Sequence, residues 1–352
     1  MPNDRAKVVV AMSGGVDSSV AAALLLEAGY DVIGMTMRLL PEGGVSSQPS
    51  PIEKACGVAA RLGIPHHVAD VTQPFQDHVL NYFVSEYRAG RTPNPCVRCN
   101  QRIKFGAMLE EAERVGAHYL ATGHYVRVVS HDDRYAICRG RYREKDQSYV
   151  LAGLSQDQLR RVIFPLGERT KAETRANARS LGLDIAESAE SQDICFIEDG
   201  DYHRFLAERG ESGRPGPILT TAGEQLGTHT GLTKYTIGQR KGLGIAAPRP
   251  YYVVRLEPAR NAVIVGHHEE TFAQRLTARD VVWGGISPQT EPFECSIQIR
   301  YRHKAVRGVA EADEEGFCAR FLVPQRAVTP GQWAVLYHGD RVLAAGTIDT
   351  FE

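Results

Sequence analysis

The feature that most constrains this chain is the run VVVAMSGGVDSSVAAALL beginning at Val8, in which a wholly apolar strand feeds through a glycine-containing turn directly into an alanine- and leucine-rich helix. A fully apolar strand must be covered on both faces, which happens in parallel sheets flanked by helices. The pattern then repeats. Lys7 to Met12 reads as a strand, Ser18 to Ala28 as a helix and Asp31 to Met37 as a second strand; a Gly/Ser/Pro-rich loop from Pro41 to Pro51 leads into a helix that Gly63 ends. A strand at His66 to Asp70, a helix from Pro74 to Tyr87, a loop carrying TPNPCVRCN, a helix from Gln101 to Val115 and a strand at Tyr119 to Thr122 follow. This alternation predicts an α/β fold with a doubly wound, mostly parallel sheet whose ligands bind at the carboxyl ends of the strands. Beyond Gly200 the composition shifts to glycine, threonine and β-branched residues in short runs. YYVVRLEPARNAVIVG reads as a hairpin, and ECSIQIRYRH, FCARFLV, QWAVLYHG and RVLAAGTID as strands of a small barrel or sandwich. The 352 residues are therefore divided into 1–200, 201–270 and a C-terminal β-barrel at 271–352.

The first turn carries its own chemistry. Backbone N–H groups of the turn and of the helix start face one anion-sized space, Gly14 and Gly15 let the backbone approach a phosphate, Ser13 and Ser18 add hydroxyls, and Asp17 can hold Mg²⁺ or order the loop as an N-cap. The lysine of a Walker loop is missing, so the turn suits gripping a departing pyrophosphate better than transferring a γ-phosphoryl group.

Global charge is uninformative, with 41 Lys and Arg against 42 Asp and Glu, but its distribution is not. Tyr87–Leu109, Gln225–Leu256 and Cys295–Ala310 contain cations and no carboxylate, an arrangement able to present a basic face to a polyanion. The apolar stretch Val20–Leu26 is far shorter than the roughly 20 residues that span a bilayer, and the opening MPNDRAK lacks the order of a secretory signal. A cytoplasmic protein without a membrane segment is expected. Seven cysteines do not make a disulfide framework in that setting. Cys56, Cys138, Cys295 and Cys318 read as core, which leaves Cys96, Cys99 and Cys195 for chemistry.

SGGVDSS resembles the signature of the PP-loop ATP pyrophosphatase superfamily, whose sheet is of the adenine nucleotide alpha hydrolase type and whose members adenylate a carbonyl-type oxygen before a nucleophile displaces AMP. GRTPNPCVRCNQRIKF, ATGHY, KDQSYVL, SQDICFI and YTIGQRKGLGI, in that order, closely resemble the tRNA-specific 2-thiouridylase family over nearly the whole chain. The resemblance implies an ATP-dependent enzyme that converts a wobble uridine of tRNA to 2-thiouridine, releasing AMP and pyrophosphate, with Mg²⁺ screening the phosphates.

Carried over residue by residue, it places Ala11, Met12, Ser13, Gly14, Gly15, Val16, Asp17 and Ser18 around the ATP phosphates, Met37 on the adenosine and Gly123 where the nucleotide lies close to the backbone. Asn94, Pro95 and Cys96 fall beside the target base, and His124, Lys145, Asp146, Gln147, Arg300, Tyr301 and Gln332 on tRNA. Residues 201–270 become a central domain that touches tRNA. Cys195 becomes the persulfide carrier and Cys99 the thiol that attacks it, leaving a Cys99–Cys195 disulfide; the cations Arg98, Arg102 and Lys104 near Cys99 favour its thiolate. Many members have aspartate where this chain has Cys96. Three thiols can instead hold a four-iron four-sulfur cluster that binds sulfide at one open iron, an alternative route to the same product; a closed zinc site lacks a fourth ligand. No desulfurase or rhodanese-like segment is visible, so a cysteine desulfurase or sulfur-relay protein is expected as donor. A different PP-loop ligase would leave the cysteines without a task, and a non-catalytic RNA-binding or redox-sensing protein would leave the phosphate loop without one.

Overall fold

The computed structural model describes residues 5–41, 50–131, 133–183, 194–197, 200–211 and 213–352. Most of the expected Pro41–Pro51 loop, the first three residues of SQDICFI and part of the boundary near residue 200 lie outside the described residues. The chain divides into two compact units, 1–79 with 96–192 and 340–343, and 80–95 with 193–339 and 344–352.

The first unit is built on a parallel sheet of β1 (Lys7–Ala11), β2 (Asp31–Arg38), β3 (His66–Asp70), β4 (Tyr119–Ala121) and β7 (Val162–Ile163) in the order β3-β2-β1-β4-β7. Val8, Val9 and Val10 of the central strand have no solvent exposure, as a strand covered on both faces requires. Helix α1 (Val16–Glu27) buries Val20, Ala21, Ala22 and Leu25 in that core, and α2 (Pro51–Leu62) adds Ala55, Val58 and Ala59. Ser50 and Glu53 form a capping box at the start of α2, and Gly63 ends it at φ 69°, a left-handed conformation that glycine adopts without steric cost. The inner stripe of α2 fixes the fate of Cys56. With Ala55, Val58 and Ala59 facing inward, Cys56 is turned about 100° away and is exposed, not core as expected. Cys138 is buried as expected.

Two stretches of this unit depart from the sequence reading. Val126–His131 (β5) and Arg134–Arg139 (β6) form an antiparallel hairpin turned at Asp133, a pattern of alternating residues that the strand-and-helix reading passes over. The TPNPCVRCN segment is not a loop throughout. A helix begins at Pro95, runs as α5 (Pro95–Cys99), widens into a π-helical segment at Asn100–Ala107 and continues as α6 (Met108–Arg114). Proline at a first helical position loses no hydrogen bond and is preset in φ, so Pro95 starts the helix it was expected to precede. A similar succession runs through α3 (Thr72–Phe75), a π turn at Gln76–Leu80 and α4 (Asn81–Arg88). The short helices α7 (Ser148–Leu151) and α8 (Gln156–Leu159) precede β7, and α9 (Lys171–Ser180) follows it.

In the second unit, α10 (Tyr202–Glu208) precedes a sheet of β8 (Gly216–Thr220), β9 (Gln225–His229), β10 (Tyr252–Glu257) and β11 (Ala262–Gly266), ordered β10-β11-β8-β9, with the expected hairpin as β10–β11. His229 is fully buried here; its Nδ1 accepts the Gly231 N–H at 3.0 Å, and its Nε2 lies 2.8 Å from the Asn261 carbonyl. The C-terminal strands β12 (Phe272–Val282), β13 (Phe293–Gln298), β14 (Val306–Ala312), β15 (Gly316–Arg326), β16 (Trp333–His338) and β17 (Arg341–Phe351) follow the order β12-β15-β14-β13-β16-β17. Pairing of β12 with β17 closes a barrel and leaves no open edge. Cys295 and Cys318 are buried in it.

Candidate functional site

The order of the parallel sheet reverses beside β1, so the crevice outside the carboxyl ends of β1 and β4 is the switch point where doubly wound sheets bind ligands. Both strand ends carry motifs singled out from sequence. After β1 come Ser13, Gly14 and Gly15; after β4 come Thr122, Gly123 and His124. Gly14 has φ 72°, and a Cβ there would lie 2.5 Å from the Lys54 Cβ, so only glycine lets the turn pass under α2. Gly15 is the N-cap of α1 and supplies no side-chain cap. The N–H groups of Val16, Asp17 and Ser18 precede the first helical bond, which Ser19 makes to the Gly15 carbonyl. An uncapped twelve-residue helix thus directs its first N–H groups and its dipole at the crevice.

Two readings of this turn change. Asp17 does not cap the helix. Its carboxylate takes the Lys171 ammonium at 2.7 and 2.8 Å and the Tyr125 hydroxyl at 2.7 Å, and that hydroxyl lies 3.0 Å from Thr174 Oγ1. Ser18 does not offer its proton outward, because its hydroxyl donates to the Gly15 carbonyl at 3.1 Å and accepts the Ser13 N–H at 3.2 Å. Ser18 braces the turn, as does Ser19, whose hydroxyl also reaches the Gly15 carbonyl at 2.9 Å. Ser13 is exposed, Ala11 half-buried, and Met12 and Val16 are core. Lys171 is the residue the sequence reading missed. It begins α9, behind a Thr170–Glu173 capping box, and brings a cation to the phosphate loop from far along the chain; only the helix-start signature TKAE hinted at its place.

Gly123 closes the crevice floor. A Cβ on it would lie 2.6 Å from the Asp17 carbonyl carbon and 2.7 Å from the Ser18 nitrogen, so glycine is required here for packing of backbone on backbone. His124 follows, with Nδ1 2.6 Å from Thr122 Oγ1 and its ring against Phe105 and Phe164 at centroid distances of 6.0 and 6.3 Å. Burial, and secondarily the Lys104 charge, hold its pKa well below the ordinary 6.5. Met37, at the end of β2, is half-buried beside the same strand ends.

Of the cysteines, Cys99 is 7% exposed, whereas Cys96, one helical turn earlier, and Cys195 are exposed. Cys99 ends α5 at the entry to the π segment, and π turns interrupt helices most often at functional sites. The carbonyls of Gln101 and Phe105 in that segment accept from the Gln158 amide at 2.9 and 2.6 Å. In the second unit Cys195 precedes Phe196, which packs in an aromatic cluster with Phe83 and Phe205 at 5.5 and 5.1 Å. A buried ring thus anchors an exposed thiol. Among the described residues no three His, Cys, Asp or Glu side chains are placed to hold a metal ion.

The residues expected on tRNA differ in what they touch. The Asp146 carboxylate is 8% exposed and takes Arg139, the Gly140 N–H and both the N–H and hydroxyl of Ser148. Gln147 accepts the Tyr125 N–H at 2.9 Å. These two shape their loop, while Lys145 beside them is half-exposed. Tyr301 is 42% exposed; Arg300 reaches the carbonyls of Arg326 and Ala327 at 3.3 and 3.4 Å. The acid-free stretches are only partly unpaired in space, since Arg88 meets Glu211, and Arg91 meets Glu86 and Asp349.

Gln332 has an internal task. Its amide donates to the Thr92 carbonyl at 2.8 Å, the Thr92 N–H donates to Pro330 at 2.9 Å, and Gly331, at φ 92°, lies so close to Thr92 that a Cβ would meet three backbone atoms within 3.0 Å. Arg91 adds bonds to Glu86 and Asp349 and to the Ile348 carbonyl at 2.8 Å. The loop leading to Asn94 and Pro95 is therefore held by the TPGQ turn of the barrel.

Two outcomes follow from this geometry. Losing the Gln332 hydrogen bond is worth about 1 kcal/mol, so Gln332→Ala should speed hydrogen exchange of the Thr92 amide about fivefold relative to the barrel strands; an unchanged rate would remove the clamp. Half-buried His124, and likewise His66, His203 and His303, have folded-state values lowered chiefly by partial removal from water. As pH falls below 6.5 the unfolded chain binds these protons first, so stability is lost on acidification. The melting temperature should drop between pH 7.5 and 5, less steeply in His124→Gln; a flat profile contradicts the assignment.

Comparison with known proteins places these features in one family. Family models match in succession: a tRNA methyl transferase HUP domain at residues 6–199, a tRNA methyl transferase PRC-barrel domain at 203–267 and an aminomethyltransferase beta-barrel domain at 273–348. The tRNA-specific 2-thiouridylase MnmA of Carboxydothermus hydrogenoformans is 48% identical over 357 residues, covering 98% of each chain, and that of Geobacter metallireducens is 49% identical, covering 98% of this chain and 97% of its own. The same-named protein of Heliobacterium modesticaldum is 48% identical over 97% of this chain and 92% of its own. With relatives of this identity running end to end, and with the phosphate loop, the ATGHY strand end and the CVRC helix in one unit, the chain belongs to the tRNA-specific 2-thiouridylase family.

Proposed function

We propose that this protein is an ATP-dependent tRNA-uridine 2-sulfurtransferase that acts on a wobble uridine. The observation that carries the proposal is the uncapped α1 N-terminus at the sheet's switch point, with Lys171 and Asp17 in place of a Walker lysine. Such a loop binds ATP and stabilises pyrophosphate as it leaves. In the first step the uracil 2-oxygen attacks the α-phosphorus and the bond to pyrophosphate breaks, which turns a poor leaving group into AMP. Val16 to Ser18 N–H groups and Lys171 meet the charge that builds on the phosphates. Asp17 is the carboxylate facing the loop, a hard oxygen ligand fit to hold Mg²⁺; the ion, when bound, screens phosphate charge.

The second step is sulfur transfer. The terminal sulfur of a Cys195 persulfide attacks the activated carbon, AMP leaves, and a base–sulfur–sulfur–Cys195 link results. The Cys99 thiolate attacks the Cys195 sulfur, 2-thiouridine departs, and a Cys99–Cys195 disulfide remains to be reduced by an external dithiol. The persulfide route gives Cys195 and Cys99 separate tasks, carrier and releasing thiol; an iron–sulfur cluster on Cys96, Cys99 and Cys195 is the alternative route to the same product. Ala11, Met37 and Gly123 line the nucleotide side; Asn94, Pro95, Cys96 and His124 belong to the target-base side, with His124 neutral near pH 7. Lys145, Arg300 and Tyr301 face tRNA, and Asp146, Gln147 and Gln332 act there by fixing loops. A desulfurase or relay protein supplies sulfur. Among the described residues no helix is long and apolar enough to cross a membrane, and a cytoplasmic location fits the tRNA substrate. Residues 1–200, 201–270 and 271–352 serve as catalytic, central and barrel domains.

Two experiments test this reading. Cys195→Ser should release pyrophosphate in the presence of uridine-containing tRNA yet form no 2-thiouridine, and anaerobically purified wild type should contain negligible iron; product formation by the variant, or near-stoichiometric iron and sulfide, would replace the mechanism. Lys171→Met should slow tRNA-dependent pyrophosphate release by about 100-fold or more, the usual cost of deleting a donor to developing charge, with partial recovery in Lys171→Arg. Full activity in Lys171→Met would return Asp17 and Lys171 to a purely structural role.

A further inference from the structure

The acid-free stretch Gln225–Leu256 contains five cations, Lys234, Arg240, Lys241, Arg249 and Arg255, and the structure sorts them. Arg249 pairs with Glu269, Arg255 with Glu257, and Lys234 bonds to Thr230. Arg240 and Lys241 are exposed and take part in no ion pair among the described residues. They stand at the tip of the turn IGQRKGLG, which is rigid on both sides. Ile237 and Leu243 are buried in the core of the central sheet. The Gly238 N–H donates to the Val253 carbonyl at 2.8 Å, and Gly238, at φ 84°, packs where a Cβ would lie 2.6 Å from the Ala327 Cβ. Gln239 accepts the Thr236 N–H at 2.9 Å and donates to the Lys241 carbonyl at 3.0 Å, and Gly242 and Gly244 turn the chain back at positive φ. The backbone that carries the two cations outward is thus fixed in place.

The tip is joined to the Arg300–Tyr301 motif through Arg326. Arg326 lies over the Tyr252 ring at 5.0 Å and donates to the Gly238 carbonyl at 3.0 Å, while the carbonyls of Arg326 and Ala327 receive Arg300. A stacking-competent tyrosine and the tip cations therefore belong to one braced surface. Two adjacent cations on a braced turn, on one surface with an exposed aromatic, fit a ribose-phosphate backbone with adjacent unstacked bases.

We propose that Arg240 and Lys241 form a second RNA-backbone contact, extending the Arg300–Tyr301 surface onto the central sheet and gripping tRNA phosphates away from the reacting base. The proposal rests on the tRNA reading above. It predicts that Arg240→Ala/Lys241→Ala weakens tRNA binding about tenfold near 0.15 M salt and lowers the slope of log affinity against log salt by about 1.4 to 1.8, the release expected for two phosphate contacts. ATP affinity should stay at the wild-type value, and Arg249→Ala, at a cation already paired, should leave the slope unchanged. Wild-type affinity and slope in the double variant would overturn the proposal. So would an unchanged tRNA slope with loss of turnover only when sulfur comes from a donor protein, which would assign the tip to an acidic partner surface. If the wild-type protein binds tRNA no better than a DNA hairpin of equal charge, the tRNA reading itself fails, and the proposal with it.

Discussion

The site depends on one close approach, that of Gly123 at the end of β4 to the backbone of Asp17 and Ser18 at the start of α1. No side chain fits between them. A parallel sheet that reverses its order beside β1 leaves a crevice between those strand ends, but its width is set by whether the two backbones can touch. Because they do, the turn after β1 and the residues after β4 become one surface. Tyr125, two residues beyond Gly123, reaches Asp17, and Lys171 completes the triad from α9. The half-buried Lys171 ammonium is balanced by the Asp17 carboxylate, and in the proposed reaction it is the cation placed to meet the phosphates of ATP. That is a means of supplying a cation without the lysine of a Walker loop.

The fold was legible in the sequence wherever the signal was local. The apolar strand, the glycine turn, the helix stop at Gly63 and the β-rich second half each follow from neighbouring residues, and the structure realises them within one or two positions. What sequence could not carry was the choice among distant partners. Asp17 has the residue type of an N-cap, but its carboxylate went to Lys171 and Tyr125, more than a hundred positions away. Asp146 and Gln332 have the polarity of substrate contacts, and the sequence did not show that each also satisfies backbone donors or acceptors of this chain. The π segments were illegible for another reason. A single residue's shift from an i−4 to an i−5 bond leaves hydrophobic periodicity nearly intact, and only the Gln158 amide, satisfying two π-segment carbonyls, marks where the helix opens.

The β-rich half also acts on the chain that precedes it. Residues 80–95 group with the barrel and central sheet, and the reason is visible in Arg91, Thr92 and Gln332. Pro93 and Pro95 offer no N–H to a neighbour, so the loop between them has little with which to hold itself. The TPGQ turn and the end of β17 provide what it lacks: a carbonyl for the Thr92 N–H, an amide for its oxygen and the Asp349 carboxylate for Arg91, which α4 also engages through Glu86. A barrel distant in sequence thereby sets the conformation of the segment that delivers Asn94.

The thiols divide by exposure in a way that fits the proposed two-thiol sulfur transfer. A sulfur that arrives from another protein must be received on a thiol that the donor can reach, and Cys195 is exposed on a turn that Phe196 anchors. A thiol that releases sulfur only after the base is activated is better kept from the donor and from oxidants, and Cys99 is buried at the junction where the helix widens. Cys96 shares its helix with Cys99 but is exposed. Three residues fall about 60° short of a full turn, so the two residues are neighbours on one side of the helix, Cys99 buried and Cys96 exposed. Under the proposed mechanism, exchanging which of the two is buried would expose the releasing thiol to premature capture, so burial at position 99 fits the proposed order of events as well as the packing of the helix.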